Sequence, residues 1–122
     1  MNRKIKSYKD LIVWQRSIDF ITEIYELTKM LPTEENFGLV SQMRRSGVSV
    51  PSNLAEGHAR IGKNEFKHFV SISLGSLAEL ETQILIFQNL NYFTKIISDD
   101  LLENTNEINK MLHGLYKSLN KK

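Results

Sequence analysis

Between Gln42 and Gly62 the chain reads QMRRSGVSVPSNLAEGHARIG, and its polar residues recur at spacings of three and four. At 100° per residue, Gln42, Arg45, Ser49, Asn53, Glu56 and Arg60 fall within one arc covering roughly a quarter of a helix's circumference. A row of amides, hydroxyls, guanidinium groups and a carboxylate can contact a polar partner such as a phosphate backbone. It can also interlock with a second polar surface and so fix register and oligomer number. Glu79 and Gln83, four residues apart in a later segment, are the expected partners for Arg45 or Asn53 if the two segments pack antiparallel. A buried charge needs such a partner, because an unpaired one costs several kcal/mol, on the order of 3–5.

Two other constellations point to chemistry and fall short of it. Ser49, Glu56 and His58 carry the residue types of a hydrolytic site, but side chains of one helix do not converge on a substrate as a triad does. His58, His68 and His113 lack the paired Glu-x-x-His spacing of a bundle metal site, which Glu65 and His68 supply once only. The sequence therefore predicts a protein without catalytic activity, metal or cofactor.

A net charge of +2 is too small to imply nucleic acid by itself, so the placement of charge matters more. Arg3, Lys4, Lys6 and Lys9 make the N-terminal arm basic, Lys117, Lys121 and Lys122 do the same for the tail, and Asp99, Asp100, Glu103 and Glu107 form an acidic run. The central basic set, Arg44, Arg45, Arg60, Lys63 and Lys67, is the candidate for RNA or DNA contact. Because Arg45 and Arg60 share their stripe with Glu56, ion pairing competes with that reading.

The elements that must hold these residues are helices. Ser7 to Asp10 resembles a capping box, opening a first helix that runs to about Leu31 with a seam of Leu11, Trp14, Ile18, Ile21, Tyr25 and Thr28. Leu31-Pro32 stops it and Thr33 caps the next, with Glu34 and Glu35 in its first turn. That second helix carries Leu39, Met43, Val50, Leu54 and Ile61 beside the polar stripe, and Pro51 should kink it without dividing it, since the ring presses on the carbonyl of Gly47. Ser46, Gly47, Ser49, Ser52, Ala55 and Gly57 are small enough to admit a close neighbour, and Gly62 is the expected end. A third helix from near Asn64 repeats Phe66, Phe69, Val70, Ser73, Leu77, Leu80, Ile84 and Phe87. After an apolar connection of Tyr92, Phe93, Ile96 and Ile97, Ser98 caps a fourth helix with the seam Leu101, Thr105, Ile108, Leu112, Leu115 and Leu119. No segment alternates as a strand would, so the expected fold is all-α, an up-down-up-down four-helix bundle with helix 2 kinked at its proline.

With 122 residues, 41% hydrophobic and 25% charged, the chain is one domain, 1–122, with material for a proper core. It contains no cysteine, which suits a reducing compartment. The apolar stretch DLIVWQRSIDF is broken by Gln15, Arg16 and Asp19, unlike a signal peptide or membrane span. The expected location is the cytoplasm, away from membranes.

Trp14-Gln15, the turn around Pro32 and Glu35, Gln42 with Arg44-Arg45, the block Ser49 to Gly57 with Arg60, and Gly75-Ser76 with Glu79 together resemble the family of bacterial four-helix bundle proteins first noticed as reading frames inside intervening sequences of 23S ribosomal RNA genes. The likeness covers nearly the whole chain. It implies a ring of five identical subunits. The chain is also similar to the accessory variability protein of diversity-generating retroelements, a pentameric barrel with a basic surface that works beside a reverse transcriptase. The sequence thus leads to a homo-oligomeric, pentameric scaffold or adaptor, with a nucleic-acid-binding accessory factor, working beside a nucleic-acid-processing protein, as the alternative.

Overall fold

A computed structural model describes residues 5–35 and 38–120. Four helices make up the fold: α1 (Ile12–Thr28), α2 (Leu39–Ala59), α3 (Lys63–Asn89) and α4 (Lys95–Ser118). No strand occurs among the described residues. Each helix packs on its neighbours in sequence, and α1 closes the square against α4. Register shows that neighbours run antiparallel, because contact numbers rise on one helix as they fall on the other. Gly47 meets Ile21 and Gly57 meets Phe69, Ser49 meets Ser76 and Ser73 meets Val50, and Arg16 pairs with Glu107. This is the up-down-up-down arrangement that short connections favour.

The seams of α3 and α4 match the sequence expectation. Val70, Ser73, Leu77, Leu80, Ile84 and Phe87 are buried on α3, as are Leu101, Thr105, Ile108 and Leu112 on α4. By length and composition α3 could cross a membrane, with mean hydropathy 1.3 over its most apolar window; Val70, Leu77, Leu80, Ile84 and Phe87 lie in the bundle core, whereas Ile72, Leu85 and Ile86 are exposed. The small residues of α2 do what was expected of them. A Cβ on Gly47 would stand 2.8 Å from Ile21 Cδ1, and one on Gly57 only 2.5 Å from Phe69 Cβ. Both flanking helices approach through these gaps. The helix continues through Pro51 as a single element, as the sequence reading requires.

The helix boundaries differ from expectation in four places. Ser7 and Asp10 do form a capping box, but it closes a short 3₁₀ turn, Tyr8–Asp10, and α1 proper begins at Ile12 and ends at Thr28. Its buried face is Val13, Ser17, Phe20, Ile21, Ile24 and Thr28, whereas Ile18 and Tyr25 are 38% and 36% exposed. Apolar residues occur almost all round this helix, so periodicity alone offered two overlapping seams, and packing against α2 and α4 buries the second. Thr33 opens a separate 3₁₀ turn, Thr33–Glu35, which places Glu34 and Glu35 outside α2. The cap of α4 is Thr94, whose hydroxyl accepts from Ile97 N at 3.2 Å, while Ser98 is buried inside the helix with its Oγ unpaired. Ile96 consequently lies in the first turn of α4 and is exposed, although Phe93 does pack on Phe87 with ring centroids 5.1 Å apart. Gly62, at φ 107°, makes the turn between α2 and α3 three residues beyond the end of α2 at Ala59, and serves as the N-cap of α3, while Arg60 caps α2.

Candidate functional site: a polar groove between α2 and α3

Antiparallel packing of α2 on α3 sets the polar stripe beside a matching row. Gln42, Arg45, Ser46 and Ser49 from α2 face Ser76, Glu79 and Gln83 from α3 across a groove of about 380 Å³. Small hydroxyl residues tie the two walls together. Ser49 Oγ and Ser76 Oγ lie 2.8 Å apart, and Asn53 Nδ2 donates to both Ser49 O and Ser49 Oγ at 2.8 Å. Deeper in, Ser73 Oγ donates to Val50 O at 2.9 Å. Ser46 Oγ folds back onto Gln42 O at 3.0 Å. Serines suit this seam because they let the backbones approach and still satisfy their own hydroxyls.

The upper half of the groove is unfinished. Gln83 is only 8% exposed, yet its Oε1 has no hydrogen-bond partner. An orphaned buried acceptor of this kind costs about 1–3 kcal/mol. Arg45 and Glu79 stand on opposite walls, both exposed, and form no ion pair with each other. None of the expected bonds from Arg45 or Asn53 to Glu79 or Gln83 is therefore made. Arg45 and Glu79 are solvated on either rim, and Asn53, held by Ser49, lies below the level of Ser76, away from both partners. Nor do the chain's own helices cover the stripe. Gln42, Arg45, Glu56 and Arg60 are exposed, with Ser49 and Asn53 half-buried.

Below the groove, Arg60 pairs with Glu56 at 2.7 Å, the ion pair that their common stripe suggested. The Glu56 carboxylate, hydrogen-bonded to the guanidinium, raises the Arg60 pKa further. The remaining basic residues are spread out and mostly engaged. Arg44 stacks on the Tyr25 ring at 4.5 Å and donates to Thr28 Oγ1 and Tyr25 O at 3.0 and 3.3 Å, so it caps the end of α1. Arg60 also lies over Phe69 at 5.2 Å, and Lys67 reaches over Tyr116 at 5.3 Å. Lys63 is exposed at the start of α3. Arg3, Lys4, Lys121 and Lys122 lie outside the described residues. Of the central five, Arg45 and Lys67 have no hydrogen-bond or ion-pair partner among the described residues, and of these two Lys67 lies over the Tyr116 ring.

The residue types of a hydrolytic site do not meet. Ser49 is held by Ser76 and Asn53, His58 packs edge-on to Phe66 at 5.5 Å, and Glu56 is taken by Arg60. His68 sits edge-on to Phe69 at 5.7 Å. No three His, Asp or Glu side chains gather at a metal-holding distance among the described residues. Sequence reasoning missed Ser46 and Ser76 as members of the groove. Their position on the flank of each polar row was the available signal. A second groove of about 290 Å³, lined by Tyr8, Trp14, Ile18, Ile21, Val48 and Pro51 among others, runs between α1 and α2. Trp14 and Ile18 therefore wall a surface cleft where a core seam was expected.

Four antiparallel helices with a serine-lined polar edge, without a convergent catalytic set among the described residues, define a helical-bundle protein whose distinctive feature is a surface. The particular family follows from comparison: the chain belongs to the 23S rRNA-intervening sequence proteins, whose family model matches residues 9–114. Among solved structures it is similar to a crystal structure from Bacteroides thetaiotaomicron, a protein of unknown function from the S23 ribosomal protein family. That likeness has a TM-score of 0.81 and 27% identity, and covers 87% of this chain and 99% of the other. No curated protein matches the chain. Neither the family description nor the neighbour's names a catalytic activity.

Proposed function

We propose that this protein is a non-catalytic subunit of a homo-oligomer, a ring of five by family resemblance, acting as a cytoplasmic scaffold or adaptor. The observation that carries this reading is the incomplete α2/α3 groove. A nine-tenths-buried amide oxygen without a donor, beside a guanidinium and a carboxylate that do not pair, is the chemistry of a surface completed by another surface. Gln42, Arg45, Ser49, Asn53, Glu56, Arg60, Glu79 and Gln83 are its assembly residues. Size-exclusion chromatography with light scattering tests it: the expected mass is five times 14.1 kDa, and a monomer at all concentrations sinks the proposal.

One observation favours a second reading, an accessory factor that contacts RNA or DNA. Arg45 is exposed and uncommitted, and a ring would repeat it around a surface where phosphate contacts give salt-sensitive affinity. The internal engagement of Arg44, Arg60 and Lys67 speaks against it. Titrating a fluorescent generic RNA at two salt concentrations decides the matter, because absent or salt-insensitive binding removes this alternative.

A further inference from the structure

The side of the bundle opposite the polar groove carries its own unsatisfied charge. Because α1 packs on α2 and α4 but not on α3, the α1/α4 edge and the α2/α3 edge lie on opposite faces of the square. Along the α1/α4 edge, Arg16 and Glu107 neutralise one another. Two turns higher, Glu23 and Asp100, each seven residues from that pair on its own helix, take the same edge, and partial burial together with the Asp100 charge raises the Glu23 carboxyl pKa. Neither carboxylate has a cationic partner among the described residues. Two like charges on one edge disfavour each other's ionised form, and a cation between them relieves this.

The two edges also match in height. Arg45 lies six residues into α2, which starts at Leu39, or about 9 Å along the axis. Glu23 lies five residues before the end of α1 at Thr28 and Asp100 five residues after the start of α4 at Lys95, each about 7–8 Å from the same end of the bundle. Arg44 confirms the level by reaching Thr28 and the Tyr25 carbonyl. Copies standing side by side with parallel axes thus bring the unpaired guanidinium of one to the unpaired carboxylates of the next.

We infer that Arg45 of one copy binds Glu23 and Asp100 of the next, in a head-to-tail contact between the α2/α3 edge and the α1/α4 edge. This rests on the oligomeric reading above and names the surfaces that form it. Such a contact is heterologous, using two different patches of one chain, and it closes into a ring when the rotation between successive copies returns to the first. A guanidinium fork suits a carboxylate pair because it can donate to both at once.

The test is charge reversal in the full chain. Arg45→Glu and the pair Glu23→Arg with Asp100→Arg are each expected to raise the concentration for half-assembly at least tenfold by light scattering. All three changes together should restore it. These positions are exposed, so circular dichroism should show folded helical bundles throughout. Assembly indifferent to Arg45→Glu, or no rescue in the folded triple variant, overturns the pairing while leaving the oligomer intact. A wild-type chain that never assembles overturns both. If Arg45→Glu spares assembly and abolishes RNA binding, phosphate is the occupant and the pairing is wrong.

Discussion

Glu23 shows how one side chain's environment sets a measurable sign. Burial first, and the Asp100 charge second, raise its pKa in the fold. A carboxyl whose folded pKa is raised contributes stability that is complete at low pH and is lost as pH rises through the folded value. In dissociated subunits, Glu23→Gln should therefore raise stability at pH 7 by a few tenths of a kcal/mol, the scale of surface pairs. It should leave stability unchanged near pH 4. Urea denaturation at low protein concentration reads this, and equal effects at both pH values would contradict it. In the assembly the same change should weaken association, because there the carboxylate meets Arg45. Tyr92 is a second case: its hydroxyl donates to Glu35 at 2.7 Å, and that bond to the carboxylate raises the Tyr92 pKa. It ties the α3–α4 connection to the turn before α2.

Among the elements, α2 is the one on which its neighbours depend, and its glycines are not equivalent. At Gly57 an added methyl would press on Phe69 Cβ, which the α3 backbone holds in place, at 2.5 Å. At Gly47 it would meet Ile21 Cδ1, the mobile end of a side chain, at 2.8 Å. Gly57→Ala should accordingly cost about 1–3 kcal/mol of unfolding free energy. Gly47→Ala should cost less, because Ile21 can turn aside and alanine gains up to about 1 kcal/mol of helix propensity. A reversed order in urea midpoints would show that the α1 contact is the tighter. Much of this level was legible in advance. The seams of α3 and α4, the small face of α2 and the Ser7–Asp10 box all follow from spacing. What spacing could not choose was the face of α1, where Trp14, Ile18 and Tyr25 compete with Val13, Phe20 and Ile24. It also could not choose between Thr94 and Ser98, two good caps four residues apart, because only the path of the connection decides which one turns outward.

At the scale of the whole molecule, an assembly joined through charged and polar edges should depend on ionic strength. Raising salt from about 0.1 to 1 M shortens the screening length from about 10 to 3 Å, and light scattering should then show dissociation toward 14.1 kDa subunits. Assembly unchanged by salt would instead implicate the apolar cleft between α1 and α2. The candidate site was legible only as a list of residues. Gln42, Arg45, Ser49, Glu79 and Gln83 were identified from their periodicity, and they do share one groove. Their pairing was not legible, because it depends on how far apart the two backbones settle.

The sequence by itself determined that there are four helices, which residues form the core of the last two, and that α2 carries a polar row beside an apolar one. Period, proline and glycine placement are local properties, and local hydrogen bonding enforces them. Only the tertiary structure decided that Arg45 and Glu79 stay apart, that Gln83 is buried with an unpaired oxygen, and that Glu23 and Asp100 share the opposite edge. Those outcomes depend on the register and separation of helices distant in sequence, which is set by side-chain volume summed across the whole core.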